Sequence, residues 1–271
     1  AMHGQGVLDV IAEGIVGNYS DGEPCVTFAR FALSNGIHYC TASKAPVALF
    51  YEELTRIASQ GPTPCKFRFE SACGDGTPIF NLRRYCMPSS RVTKFEAILN
   101  TTTNMILEKM ESGNLSVDSG ISEAQRLGIA EADPSADVDG WDAAVKCLCL
   151  ARVLMARSPS ELPASIEAIP KASLRDCVSL DEVQRLRTEG KRIKILCSGK
   201  AVDGKIALAV EKVIIDNTHP FFNVNGCDNV WKFEFDNFCP LTLIQHSGTP
   251  RDTGYGLLAD VLDCTGYQEL P

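Results

Sequence analysis

Apolar runs that switch between strand and helix spacing fill the first quarter of the chain, and they restrict the fold more than any other feature. VLDVIAEG (7–14) reads as a buried strand, CVTFARFALSNG (25–36) as a helix stopped by Asn35-Gly36, and IHYCTA (37–42) as a second strand. ALFYEELTRIASQG (48–61) has helical spacing and a terminal glycine, and CKFRFES (65–71) returns to strand alternation. Strand–helix–strand–helix–strand is the pattern of a parallel sheet with crossover helices.

The middle of the chain reads as mostly helical. TPIFNLRRYC (77–86) follows a glycine-rich turn, NTTTNMILEKMES (100–112) carries a helix, and DSGISEAQRLG (118–128) is short and amphipathic. Asp118 is expected as the cap of that last helix, with Glu123 in its first turn. WDAAVKCLCLARVLMARS (141–158) is apolar around much of its circumference, as a buried helix should be. Strands return in KRIKILCSGKAVDGKIALAVEKVII (191–215), two runs joined by a Val-Asp-Gly-Lys turn, and in NVWKFEFDNFCPLTLIQH (229–246). TGYGLLADVLDC (253–264) closes as a helix. The fold class expected is α/β: a partial Rossmann-like parallel sheet with an inserted α+β region that has its own antiparallel or mixed sheet.

A net charge of −8 argues against nucleic acid or an anionic membrane as the main partner. No apolar run reaches the ~18 residues of a membrane-spanning helix, and the start AMHGQGVLDV lacks the basic flank of a signal peptide. Twelve cysteines are scattered with no C-x-x-C pair, so zinc-ribbon and thioredoxin-like sites lack their spacing. Reduced, mostly buried thiols in a cytoplasmic protein are the expectation.

The stretch EADPSADVDGWDAAVK (131–146) crowds five carboxylates ahead of the apolar helix. Pro134 and Gly140 place Glu131 to Asp139 on a loop, and Asp142 and Lys146 are then one helical turn apart on one face. An isolated D-x-x-x-K is ordinarily a surface ion pair of little consequence. Here the helix continues too apolar for the surface, and a lysine at its mouth, flanked by carboxylates, can protonate or polarise a carbonyl oxygen.

EAQRLGIAEADPSADVDGWDAAVK (123–146) resembles the signature of homoserine dehydrogenases, and other landmarks follow in order. DVIAEG (9–14), TASKAPVALF (41–50), FESACGDGTPIF (69–80), ILNTTTNMIL (98–107) and NTHPFFNVNGCDNVWKFEFD (217–236) are each similar to a family segment, so the resemblance covers practically the whole chain. It implies NAD(P)-dependent interconversion of homoserine and aspartate semialdehyde, or of a related amino-acid aldehyde. Lys146 would be the proton donor to the aldehyde oxygen and Lys44 a second cation there. Asp142 would orient Lys146, Glu131 and Asp137 would hold the substrate ammonium, and Thr102 would wall the substrate. Ser43, Lys44 and Gly248 fall at cofactor-binding positions. A monovalent cation, Na⁺ or K⁺, would be held by main-chain carbonyls at Glu70, Cys73, Asp75 and Thr77. The resemblance also implies a homodimer through residues 190–250. Its domain plan would be 1–73, completed by 252–271, for the nucleotide; 74–189 for the substrate; and 190–251 for the sheet and dimer contact.

Departures accompany the likeness. The family's opening strand and G-x-G-x-x-G turn have no counterpart, and HGQG (3–6) is no substitute because a fingerprint needs a strand before it. Ser43 replaces an asparagine, Thr101 and Asp75 replace glycines, and a GPGAG loop reads IQHSGTP (244–250). Three explanations are open: a fragment of a longer enzyme, a naturally short protein doing cofactor-free chemistry on an amino-acid aldehyde, or a non-catalytic dimeric homologue. His246 reads either as a satisfied hydrogen-bond partner at a strand end or as a catalytic group. His219, before Pro220, belongs to a structural turn.

Overall fold

The computed structural model describes residues 8–61 and 63–267, so HGQG (3–6) lies outside the described residues. The chain forms two compact units, one built from residues up to 88 and from 249 on, the other from residues 89–248. Residues 74–88 thus pack with the first unit, and the second unit takes in most of the stretches 74–189 and 190–251 together.

In the first unit, β1 (Val10–Glu13), β2 (His38–Thr41) and β3 (Phe67–Arg68) form a parallel sheet in the order β1-β2-β3. Helix α1 (Cys25–Ser34) connects the first pair and α2 (Lys44–Gln60) the second. The buried residues of α1, Cys25, Val26, Ala29, Ala32 and Leu33, recur at helical spacing on one face, and Gly36 ends it at φ +72°. α2 starts at Lys44, four residues before the run ALFYEE, because Pro46 is tolerated in a helix's first turn.

Besides Glu13, the carboxyls of Glu70 and Asp260 are buried in this unit. Both Glu70 carboxyl oxygens accept main-chain N–H groups at the start of α3 (Ile79–Asn81), from Phe80 and Asn81 at 2.8 Å each. The Glu70 N–H in turn donates to Asp260 on the C-terminal helix (Pro250–Thr265) at 2.7 Å. A Cβ on Gly76 would lie 2.3 Å from the Asp252 carbonyl, so only a glycine lets the turn touch that helix.

Burial pushes the Glu70 carboxyl up to about 7 and that of Asp260 up to about 6. Raised folded-state values mean that the native state holds protons the unfolded chain has released. Stability is therefore full below the ordinary carboxyl range, near 4, and is lost as pH rises through about 7. Urea unfolding should show a loss of about 3 kcal/mol over that window from Glu70 alone. Glu70→Gln should flatten the profile, whereas a variant as steep as the wild type would remove Glu70 as the cause.

In the second unit, β4 (Val92–Ile98) is followed by α4 (Thr101–Gly113), α5 (Val117–Arg126), α6 (Ser135–Val138), α7 (Trp141–Leu154), α8 (Leu174–Cys177) and α9 (Leu180–Thr188). β5 (Lys191–Val202), β6 (Lys205–Asp216), β7 (Asn229–Phe235) and β8 (Leu241–Gln245) then complete an antiparallel sheet, ordered β6-β5-β4-β7-β8. β5 and β6 join through Asp203-Gly204, both at positive φ, as a two-residue hairpin turn requires. α4, α7 and α9 pack against β5, and α7 also packs against β6. Ile98, Leu196, Ile215, Phe221, Val224 and Val230 make one core cluster. Gly199 faces Phe95 across β4 and β5, and a Cβ there would meet the phenyl ring at 2.2 Å.

Three local readings need correction. The mostly helical middle of the chain also contains β4, the central strand of the larger sheet, where no strand is expected. A register shift between Val92 and Lys94 puts Val92 out of phase with Phe95 and Ala97 and hides the alternation. The cap of α5 is Ser116, which accepts the Ser119 N–H at 3.2 Å, so Asp118 rather than Glu123 is the first-turn acid. The 131–139 loop contains the helical turn α6.

Buried Lys194 on β5 donates to the Val224 carbonyl at 2.5 Å and to Asn104 Oδ1 at 3.1 Å, and Asn104 donates to the Gly226 carbonyl at 2.9 Å. This chain of bonds ties the 217–228 loop to α4. Burial and the Arg192 charge push the Lys194 ammonium down to about 8. Among the described residues no helix is long and apolar enough to cross a membrane.

Candidate active site

The five crowded carboxylates have different fates. Asp133 accepts the Ser135 N–H and hydroxyl at 3.1 and 2.5 Å, and Asp139 accepts the Ser173 hydroxyl at 2.9 Å. Glu131 is exposed, and its main-chain carbonyl accepts from the Gln125 amide at 3.1 Å. Asp137 and Asp142 turn inward. Gly140, at φ +76°, makes the reversal from α6 into α7 that sets these two acids side by side.

Lys146 lies one turn beyond Asp142 on α7. Its Nζ is 2.9 Å from Asp142 Oδ2 and donates to the Leu99 carbonyl at 2.7 Å. The lysine side chain is 19% exposed and that of Asp142 13%, so the pair is screened from water far more than a surface D-x-x-x-K.

Asn100 joins the two carboxylates. Its two amide hydrogens go to Asp137 Oδ1 at 2.7 Å and Asp142 Oδ2 at 3.2 Å, while its Oδ1 caps α4 by accepting the Thr103 N–H at 2.9 Å. Thr102 donates its hydroxyl to Asp137 Oδ2 at 2.8 Å. Lys146, Asp142, Asp137 and Thr102 therefore come together, and Asn100 is the member that sequence reasoning missed. Its only local signal is its place as the polar residue opening NTTTN. Thr101 replaces a glycine without difficulty, because it is the first residue of α4.

Ser43 and Lys44 belong to the first unit. Ser43 precedes α2 and gives that helix no side-chain cap, and its N–H donates to the Thr41 hydroxyl at 2.8 Å. Thr41 and Tyr39 donate to the buried carboxylate of Glu13 at 2.5 and 3.1 Å, and a Cβ on Gly17 would lie 2.8 Å from the Ser43 hydroxyl. Gly248 ends a loop of the second unit that Asp228 holds by accepting the Ser247 N–H at 2.9 Å and pairing with His246 at 3.1 Å. His246 thus has Asp228 as its hydrogen-bond partner, and His219 accepts the Phe221 N–H at 3.2 Å within its turn.

Glu70, Cys73, Asp75 and Thr77 lie in one turn, where Asp75 (φ +49°) holds a left-handed position in place of a glycine. The Glu70 carboxyl is committed to the Phe80 and Asn81 N–H groups.

Residues 78–262 match the family model for homoserine dehydrogenase. The chain belongs to the homoserine dehydrogenase family. It is 33% identical over 255 residues to a protein of Pseudomonas canavaninivorans named as an NAD(+)-dependent homoserine dehydrogenase, covering 94% of this chain and 70% of that relative. A homoserine dehydrogenase structure from Thiobacillus denitrificans superposes with a TM-score of 0.83 at 29% identity, covering 95% of this chain and 57% of that one. A hyperthermophilic archaeal homoserine dehydrogenase in complex with NADPH gives 0.74 at 26% identity, covering 95% of this chain and 73% of that one. The chain thus spans a little over half of the Thiobacillus protein and about seven tenths of the other two.

For a nicotinamide dinucleotide the residues fit in part. The ends of β1 and β2, with the uncapped start of α2, are where parallel-sheet enzymes present polar groups to such a ligand. The described residues of this homoserine dehydrogenase homologue contain no G-x-G-x-x-G turn, so the pyrophosphate cradle is not among them.

Proposed function

We propose that this chain supplies the substrate-processing machinery of a homoserine dehydrogenase, interconverting L-homoserine and L-aspartate 4-semialdehyde with NAD(P). The observation that carries this reading is the linked set Lys146–Asp142–Asn100–Asp137–Thr102. Two carboxylates against one ammonium leave the cluster short of positive charge, a deficit that a substrate ammonium at Asp137 would fill. Lys146 would then give its proton to the aldehyde oxygen in reduction and take it back from the homoserine hydroxyl in oxidation. NAD(P), when bound, supplies or accepts the hydride at the neighbouring carbon. Asp142 and the Leu99 carbonyl aim the lysine, and Asn100 and Thr102 keep Asp137 in place.

The test is steady-state oxidation of L-homoserine by this chain with NAD and with NADP, followed at the nicotinamide absorbance. Homoserine-dependent turnover is expected, and its absence with both cofactors would overturn the reading. Lys44→Ala tests the second lysine, with a loss of about a hundredfold in kcat expected if it bears on the reacting oxygen.

A homodimer through residues 190–250 is part of the same proposal. Val202, Ile214, Phe238 and Ile244 are exposed apolar side chains in that region, which a partner sheet would cover. Light scattering at micromolar concentration should give twice the chain mass, and the monomer mass would contradict it. A cytoplasmic setting is supported by twelve free cysteines.

A further inference from the structure

The first unit carries a cavity of about 320 Å³ that the proposed chemistry does not use. Tyr51, Thr55 and Ser59 present hydroxyls from successive turns of α2, facing Lys66, Arg68 and Arg84. Among the described residues no carboxylate lines it. Asp263 meets Arg68 Nε at 2.5 Å and Lys66 Nζ at 3.4 Å without belonging to the wall, so it fixes those cations and only partly neutralises them. The remaining wall is aromatic and braced. Phe69 takes Tyr51 edge-on at 5.7 Å, Phe67 at 5.0 Å and the Arg84 guanidinium over its face at 5.8 Å.

Cations fixed by a salt bridge and by stacking are preorganised, and little is lost in ordering them around an anion. Two guanidinium groups beside an ammonium and three hydroxyls match the several acceptor oxygens of a phosphate better than the two of a carboxylate. The apolar floor is suited to a body larger than the anion itself. We propose that this cavity is a binding site for a small phosphate monoester, with its phosphate among Arg68, Arg84 and Lys66 and its body against the Phe67–Phe69 wall.

Isothermal titration of the full chain with inorganic phosphate and with adenosine monophosphate tests this. Both should bind saturably, and the monophosphate should bind more tightly. Ser59→Glu places a carboxylate at an exposed helix position that tolerates it, and Arg84→Gln removes one cation. Each should weaken both ligands about tenfold. Absent saturation, or affinities that both variants leave unchanged, would overturn the site. A monophosphate no tighter than phosphate would overturn the role given to the aromatic wall, and succinate binding as tightly would overturn the choice of phosphate.

Discussion

Lys146→Ala should lower kcat for homoserine oxidation by about a thousandfold while leaving the far-ultraviolet circular dichroism unchanged. The site explains both halves of this result. The ammonium lies between Asp142 and the Leu99 carbonyl, so its removal takes away the proposed proton donor. Asp142 still accepts from Asn100 at 3.2 Å, so its carboxylate is not left without a donor and the fold loses little. Lys146→Arg sharpens the test. Arginine keeps the positive charge beside Asp142 but holds its proton too tightly to give it up near neutral pH. Positioning by charge alone would let arginine recover the rate, whereas proton transfer would not. Activity within about threefold of wild type in the alanine variant would remove Lys146 from the chemistry.

Asn100→Asp should be the second most damaging single change. The aspartate keeps an oxygen for the Thr103 N–H and so retains the α4 cap, but it exchanges two donors for a third carboxylate. That carboxylate faces Asp137 and Asp142 at the distances where Asn100 now donates, 2.7 and 3.2 Å. Repulsion would reopen the cluster or force a proton onto one of the acids. A drop of about a hundredfold in kcat/KM is expected, together with a lower melting temperature from the added buried charge. Asn100→Ala should cost about 1 kcal/mol of stability through the lost cap, in addition to the loss of rate. Comparing the two variants separates the capping role from the positioning role. Unchanged kcat/KM in Asn100→Asp would leave Asn100 as a cap and nothing more.

Much of this fold is legible in the linear pattern because its elements are bounded by strong local signals. The α1 face repeats at helical spacing up to Asn35-Gly36, and Asp203-Gly204 announces the β5–β6 hairpin, so both are found where expected. β4 is lost because its register shift disrupts the two-residue alternation that identifies a strand. Buried Lys194 is missed for a related reason. A lysine in a strand reads as outward-facing, and only the Val224 carbonyl and Asn104 amide, both distant in sequence, make its burial tolerable.

The candidate site divides in the same way. Asp142 and Lys146 are one helical turn apart, a local relation that spacing reveals. Asp137 and Thr102 enter through family resemblance, and their 2.8 Å hydrogen bond supplies the physical link. Asn100 escapes notice because its carboxylate partners lie 37 and 42 residues along the chain, beyond the reach of any local pattern. Glu131 illustrates the opposite limit. Composition groups it with four neighbouring acids, yet its side chain is exposed while those of Asp137 and Asp142 turn inward.

The central claim is that the acids of this cluster seat the amino group of a small zwitterion while Lys146 meets its oxygen. A crystal structure of the chain with L-homoserine bound tests it most directly. The substrate amine should lie within hydrogen-bond distance of Asp137 and the side-chain hydroxyl within hydrogen-bond distance of Lys146 Nζ. Homoserine bound elsewhere, or bound here with its hydroxyl turned away from Lys146, would contradict the account.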